Sequence, residues 1–261
     1  MNEIKTCNGM TSPERSDEAS RLKILVVNDD GINADGIVHL AEMACKLGDV
    51  WVIAPEEQCS GMSQKLTIHG DLRVKEVDFP VAVKAAWSVG GTPADCVKLG
   101  LESLLDFRPD YVFSGVNYGS NTGYDIAYSG TMGAALEAVM NGVPAIAFSR
   151  FEKGSYEITD KYILPIAREL IAAGQGTGEV WNVNFPSCPG DEYKGILRDR
   201  KIAPMSLYHE HYKLAEPVDG CANYLPSSTL ISAEDSPLDS DIHAVLTGYI
   251  SIGKVRAAVL I

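Results

Sequence analysis

Apolar runs and helical stretches alternate along most of this 261-residue chain. Short apolar runs predict buried strands at 23–28, 49–54, 86–89, 110–114, 144–149 and 180–185. Between them, apolar residues recur with helical spacing at 34–47, 92–105, 130–141 and 158–173. Alternation of strand and helix predicts an α/β fold with a doubly wound, largely parallel, Rossmann-like sheet.

The pattern changes after residue 193. Extended ribbons and loops are predicted up to residue 232, followed by a short helix at 240–246 and a last strand at 248–252. We interpret 204–232 as a projecting hairpin arm used for oligomerisation, and a disordered surface loop is the alternative. Residues 22–203 and 233–261 then form the α/β domain. An earlier segment, 66–79, predicts a surface hairpin or edge ribbon.

Composition and charge narrow the function classes. The formal net charge of −13 argues against binding DNA or RNA through a basic surface. Residues 1–21 are polar and predict a disordered extension, neither a signal peptide nor a membrane helix. Nowhere does the chain offer the roughly 20 consecutive apolar residues of a membrane span. We therefore expect a cytoplasmic protein without membrane contact.

The first strand runs directly into Asp29-Asp30-Gly31. Adjacent carboxylates repel each other, and they are placed together mainly where a cation neutralises them. The carboxyl ends of strands are also where open α/β sheets bind ligands. This segment therefore suggests a divalent metal site. An acidic turn built on Asp30-Gly31 is the alternative that the segment alone leaves open.

Two further strand ends carry neutral oxygen ligands. Ser60 follows the second strand, and Asn117 follows the strand at 110–114. In a parallel sheet these loops lie along one edge, so both side chains can converge on Asp29 and Asp30. Hydroxyl and amide oxygens beside carboxylates suit Mg²⁺ or Mn²⁺. We expect one such divalent cation per subunit.

A third polar loop opens the helix at 130–141 through Ser129-Gly130-Thr131. The first amides of a helix have no partner inside it, and the partial positive charge there suits a phosphate. Tight packing of the helix through its small residues is the alternative, and the two are compatible. P-loop, dinucleotide-binding and nucleophile-elbow motifs are absent from the sequence.

Together these segments closely resemble the SurE family, the 5′/3′-nucleotidases also called survival protein E. The resemblance spans roughly residues 22–252, and a long block at 114–135 makes it specific. The motifs that carry it are NDDG at 28–31, AP…SG at 54–61, GTPADCV, SGVNYGSNTGYDIAYSGTMGAA at 114–135, PAIAFS, NVNFP, and DIHAVLTGYISI at 241–252.

The resemblance implies a metal-dependent phosphatase that converts nucleoside 5′- and 3′-monophosphates to nucleoside and phosphate. It implies a homodimer or homotetramer built through the hairpin arm and the C-terminal tail. It also assigns roles to residues. The metal ligands fall on Asp29, Asp30, Ser60 and Asn117, the phosphate site on Ser129, Gly130 and Thr131, and the catalytic residues on Asp29, Asp30 and Asn121.

Alternatives remain at this point. A nucleotide-binding module without catalysis would retain the helix-end phosphate site, and a hydrolase of other phosphate esters or short polyphosphate would use the same residues. Many relatives carry basic residues before the serine of the second loop, whereas Glu56, Glu57, Gln58 and Cys59 precede Ser60 here. The candidates for stacking a nucleobase are Tyr118, Tyr124 and Tyr128, and a role in packing alone is the alternative.

Overall fold

A computed structural model describes residues 21–151 and 155–257. Within these residues nine strands form one sheet, and two more form a separate ribbon. The strands are β1 (Leu22–Val27), β2 (Gly48–Pro55), β3 (Val74–Glu76), β4 (Ala85–Val89), β5 (Tyr111–Tyr118), β6 (Ala145–Arg150), β7 (Glu179–Phe185), β8 (Gly195–Arg200), β9 (Tyr208–Val218), β10 (Cys221–Leu230) and β11 (Tyr249–Arg256).

Helices cover both faces of the sheet. They are α1 (Asp35–Ala44), α2 (Pro93–Leu99), α3 (Gly130–Met140), α4 (Glu157–Ala173) and α5 (Asp241–Leu246). The apolar sides of α1 and α4 belong to one buried cluster, and those of α2 and α3 belong to a second cluster on the opposite face. Three layers with two cores result, as expected for strands that are apolar on both sides.

The sheet order is β3-β4-β2-β1-β5-β6-β7-β11-β8. Six strands from β4 to β7 are parallel, whereas β3 and β11 are antiparallel to their neighbours β4 and β7. The chain winds outward from β1 on one side and resumes at β5 on the other, so the strand order reverses between β1 and β5. The predicted doubly wound, largely parallel sheet is confirmed, and its switch point lies between these two strands.

Strand β5 is longer than the sequence predicts. The apolar run ends at Ser114, but the strand continues to Tyr118 through an irregularity between Ser114 and Asn117 in its pairing with β6. Gly115 has φ +130°, and a β-carbon there would collide with the backbone of Phe148. The strand can therefore continue only because this position is glycine.

Helix α2 begins as predicted. The Thr92 side chain accepts a hydrogen bond from the amide of Asp95, and the Asp95 carboxylate accepts one from the Thr92 amide. This is a complete capping box. The α-helix ends at Leu99, and a wider π-type turn, Gly100–Leu104, fills the rest of the predicted helix.

The segment 66–79, predicted as a ribbon, contributes only the edge strand β3. Its first part is attached to the start of α2 and not to the sheet, because the amide and hydroxyl of Thr67 both donate hydrogen bonds to Asp95. The turn at Gly70, with φ +92°, then separates this part from β3.

Strands β9 and β10 form the antiparallel ribbon that the sequence predicts as an arm. Most of its residues are exposed, and at its base a small apolar cluster includes Leu207, Ile231 and Ile242. The Asp241 carboxylate fixes this base by accepting hydrogen bonds from the amides of Gly123 and Ala203. The predicted extension at 1–21 lies outside the described residues except for Arg21.

No helix among the described residues is long and apolar enough to cross a bilayer.

Glu179 closes the amino-terminal end of β7, at the sheet edge opposite the ends of β1 and β5. Its carboxylate accepts hydrogen bonds from Lys254, Arg256 and the amide of Gly176 at 2.7 to 3.0 Å. These donors, led by Lys254, lower the pKa of Glu179 from 4.5 to about 2. Ionised Glu179 therefore stabilises the folded chain.

We predict that Glu179→Gln lowers the free energy of unfolding at pH 7 by about 1–2 kcal/mol, a modest amount because Lys254 and Arg256 are partly exposed and water screens their attraction to Glu179. The difference in unfolding free energy between variant and wild type should persist above pH 4.5. It should shrink as the pH falls from 4.5 through 2, because Glu179 then becomes protonated in the folded as well as the unfolded chain. Urea unfolding at several pH values measures it. A difference independent of pH would contradict the assignment.

Candidate active site

The turn after β1 is fastened to the loop after β2. The Asn28 side chain donates to the carbonyl of Gly31 (2.8 Å), and Gly31 itself adopts φ +96°, a conformation that favours glycine. The amide of Cys59 donates to the carbonyl of Asp29 (2.7 Å), and the amide of Ile32 donates to that of Pro55 (2.9 Å). These bonds fix where the two aspartate side chains emerge.

Asp29 lies almost out of contact with solvent, at 2% exposure. The net effect of its surroundings raises the pKa of Asp29 to about 6: burial raises it most, the Thr131 side chain lowers it, and the neighbouring Asp30 charge raises it. The Thr131 hydroxyl donates to Asp29 Oδ1 at 2.5 Å. An ionised Asp29 therefore depends on the hydrogen bond from the start of α3 and on any cation that binds beside it.

Asp30 is half-buried at the mouth of the same turn. Its Oδ2 accepts a hydrogen bond from the amide of Tyr118 at 3.0 Å. Burial raises the pKa of this carboxyl, and the Tyr118 amide, the Arg150 charge and the Gln58 side chain lower it. Asp30 is thus linked to the end of β5 and to the loop after β2 at once.

Ser60 and Asn117 lie on those two segments. The Gln58 side chain, which interacts with Asp30, also donates to Ser60 Oγ at 3.0 Å. The Asn117 side chain uses its Nδ2 to donate to the carbonyl of Gly119 (2.7 Å), which leaves Oδ1 as its ligand atom. The structure therefore brings these two side chains to the edge where Asp29 and Asp30 lie.

The set of oxygen atoms suits a hard divalent cation. Among the described residues no three of His, Cys, Asp and Glu are grouped as metal ligands, so a cation here needs neutral ligands beside the aspartate pair. Ser60 and Asn117 provide a hydroxyl and an amide oxygen, which fit Mg²⁺ or Mn²⁺. The donor chemistry thus fits the predicted metal.

Helix α3 starts against the buried aspartate. The Ser129 hydroxyl accepts a hydrogen bond from the amide of Met132 at 3.0 Å and caps the helix. A β-carbon on Gly130 would lie 2.8 Å from Cβ and 2.9 Å from Oδ2 of Asp29, so only glycine permits this approach. The predicted phosphate site is therefore adjacent to the predicted metal ligands, and Thr131 of the phosphate site contacts Asp29 directly.

The packing alternative for α3 also holds. A β-carbon on Gly133 would collide with the backbone of Ser63, which shows that the helix packs closely on the loop after Ser60. The Ser63 amide donates to the carbonyl of Tyr128 (2.9 Å). Packing on one side of α3 therefore coexists with contact between its amino-terminal end and Asp29.

Asn121 lies in a buried amide network behind the site. Its Nδ2 donates to Ser149 Oγ (2.8 Å), and its amide donates to Asn184 Oδ1 (2.8 Å). Its carbonyl accepts hydrogen bonds from Asn182 and Asn184. These bonds join the polar loop after β5 to the ends of β6 and β7, and the catalytic role implied for Asn121 stays a prediction.

Sequence reasoning missed Arg150. This residue ends β6 and pairs in register with Tyr118 of β5, and its guanidinium is the charge that lowers the pKa of Asp30. The signal was available, because Arg150 directly follows a predicted strand whose carboxyl end lies on the same sheet edge. The Ser60 loop lacks cations, and Arg150 provides one from the opposite side.

Comparison with known proteins gives consistent matches. The family model described as survival protein SurE matches residues 24–207. The chain is 38% identical over 239 residues to "5′-nucleotidase SurE" of Pelotomaculum thermopropionicum, covering 90% of this chain and 89% of the relative. It is 41% identical over 236 residues to the protein of the same name from Protochlamydia amoebophila, covering 90% of each.

A solved structure is similar as well. The SurE protein from Aquifex aeolicus superimposes with a TM-score of 0.76 at 34% sequence identity. The match covers 90% of this chain and 93% of that protein. The similarity therefore extends over nearly the whole of both chains.

We predict that Thr131→Val raises the pKa of Asp29 above its value of about 6, by about one pH unit, because the charged carboxylate loses its hydroxyl donor and keeps only backbone donors. Thr131→Ser keeps the hydroxyl and serves as the matched control. Carboxyl ¹³C NMR titration of the metal-free protein measures both. An unchanged pKa in the valine variant, or an equal rise in the serine variant, would exclude the hydroxyl as the cause.

Proposed function

The chain belongs to the SurE family, and from that premise we propose that it is a 5′-nucleotidase. Its substrates are nucleoside 5′-monophosphates and also 3′-monophosphates, and its reaction requires one divalent cation, Mg²⁺ or Mn²⁺. The observation that supports this most is the contact between Thr131 at the start of α3 and Asp29 (2.5 Å). It places a helix end suited to phosphate beside a carboxylate pair suited to a metal.

Charge explains why a cation is needed. Asp29 and Asp30 would repel a phosphate dianion, and only Arg150 and the end of α3 oppose them among the contacts described above. The residues that would hold the cation are Asp29, Asp30, Ser60 and Asn117. When bound, it supplies positive charge to the phosphate and acidifies water.

The chain's own groups complete the reaction. One carboxylate of the aspartate pair accepts the proton of the attacking water as general base. The amide of Gly130, at the first helical position, binds a phosphate oxygen, whereas the amide of Thr131 already donates to Asp29. Asn121, through Ser149, positions the end of β6 from which Arg150 reaches the site. Transfer to water needs no covalent phospho-enzyme.

The arm supports a homodimer or homotetramer. The ribbon exposes large apolar side chains without a core of its own in the described chain. These exposed apolar residues include Tyr212, Leu214, Val218, Tyr224 and Leu225. Pairing with a second copy would cover them.

We further propose that the protein is located in the cytoplasm, as its sequence predicts.

We predict that phosphate release from 5′-AMP requires Mg²⁺ or Mn²⁺ and stops in the presence of EDTA. Asp30→Asn should lower kcat/KM by about 100-fold or more, since both a ligand and a possible base are lost. Asp35→Asn changes an exposed carboxylate five positions away and is the matched control. A malachite green assay measures phosphate. Turnover that survives chelation would disprove the metal requirement.

Substrate class is tested separately with 5′-AMP, 3′-AMP and tripolyphosphate. We predict the highest kcat/KM for the mononucleotides, because the site offers one phosphate position at the end of α3. A higher kcat/KM for tripolyphosphate would instead favour a polyphosphate hydrolase. Binding of 5′-AMP without any phosphate release would indicate a nucleotide-binding module.

A further inference from the structure

Four side chains make a continuous row of contacts beside the carboxylate pair. The rings of His39 and Tyr156 stack with centroids 3.8 Å apart and planes 9° from parallel. The Arg150 guanidinium lies over the Tyr156 ring at 4.4 Å and over the Tyr118 ring at 5.0 Å. We call these four residues the aromatic row. It runs from α1 across the ends of β6 and β5.

Both ends of the aromatic row are held in place. At one end His39 Nδ1 lies 2.8 Å from a carboxylate oxygen of Asp160 on α4. At the other end the Tyr118 amide donates to Asp30, and the next amide, of Gly119, donates to the carbonyl of Arg150 (2.9 Å). The row is therefore a fixed surface rather than a set of independent side chains.

The row ends in a ring that is open to solvent. Tyr118 is 50% exposed although Arg150 lies over its ring. A cation over one side of an aromatic ring fixes its position and polarises it. An open, supported ring of this kind is a platform on which a flat heterocycle stacks.

We propose that Tyr118 stacks the nucleobase of the substrate and so discriminates nucleotides from phosphate esters that lack a base. The proposal rests on the nucleotidase function proposed above. Its geometric basis is the hydrogen bond of 3.0 Å between the Tyr118 amide and Asp30. In a bound nucleotide, one ribose separates the phosphate at the aspartate pair from the base. The Tyr118 ring is separated by the length of its own side chain from the backbone amide that contacts Asp30.

Two other exposed tyrosines are weaker candidates. Tyr124 and Tyr128 line a cavity of about 690 Å³ beside α3, together with Leu136 and Met140. Neither ring contacts another ring or a cation among the described residues. They therefore lack the support that Tyr118 receives, and Tyr124 serves as a matched control.

The test compares 5′-AMP with ribose 5-phosphate, which carries the same phosphate and sugar without a base. Tyr118→Leu should lower the ratio of kcat/KM for 5′-AMP to that for ribose 5-phosphate about tenfold, equivalent to about 1.4 kcal/mol. Tyr118→Phe keeps a ring and should keep the wild-type ratio. Tyr124→Leu should keep it as well.

An unchanged ratio in Tyr118→Leu, with active wild-type enzyme, would overturn the stacking role. A fall in Tyr124→Leu alone would place the base in the cavity beside α3. If wild type releases phosphate from neither ester, the nucleotidase function itself fails, which is a separate result.

A second measurement does not depend on the folding of the leucine variant. In protein labelled with 3-fluorotyrosine, the ¹⁹F resonance of Tyr118 is the one missing from the Tyr118→Phe spectrum. We expect 5′-AMP to shift this resonance, because a stacked base imposes a ring current, and ribose 5-phosphate to shift it less. Equal shifts with both ligands would contradict stacking.

Discussion

The structure depends on holding two adjacent carboxylates at the end of a buried strand. Removing Asp29 from water favours its neutral form, which is why burial raises its pKa to about 6. Two elements distant in sequence reduce this penalty. Thr131 at the start of α3 donates to Asp29, and the Tyr118 amide at the end of β5 donates to Asp30. The start of α3 and the end of β5 are therefore both attached to the aspartate pair.

That arrangement requires glycines and short polar residues at particular positions. Gly130 is required because any β-carbon would meet Asp29, and Gly115 is required because β5 passes the backbone of Phe148. Ser114 supports the start of α3 by donating to the carbonyl of Thr131 (2.9 Å). Packing and chemistry therefore share the same atoms, and the first turn of α3 stabilises the fold while it lines the site.

Sequence periodicity predicts the parallel strands, the helices and the convergence of Ser60 and Asn117 on the aspartates, since each is a local pattern or follows from strand polarity. It does not predict that β5 continues to Tyr118, because glycine and asparagine interrupt the apolar run, nor that β11 runs antiparallel to β7. Arg150 could be found from its position directly after a predicted strand, but the aromatic row requires knowing which strand ends are neighbours. Such pairings between elements leave no period in the sequence.

A chain with a net charge of −13 must recognise an anion locally rather than through its overall field. Two positively charged or partly charged groups approach the aspartates, the end of α3 at Asp29 and Arg150 at Asp30. Arg150 also lies over two tyrosine rings, so it joins the phosphate end of the site to an open aromatic surface. In the proposed function, affinity for phosphate and preference for a base therefore reside in different residues. Because Tyr118 shares only its backbone amide with Asp30, its side chain can vary without removing that hydrogen bond.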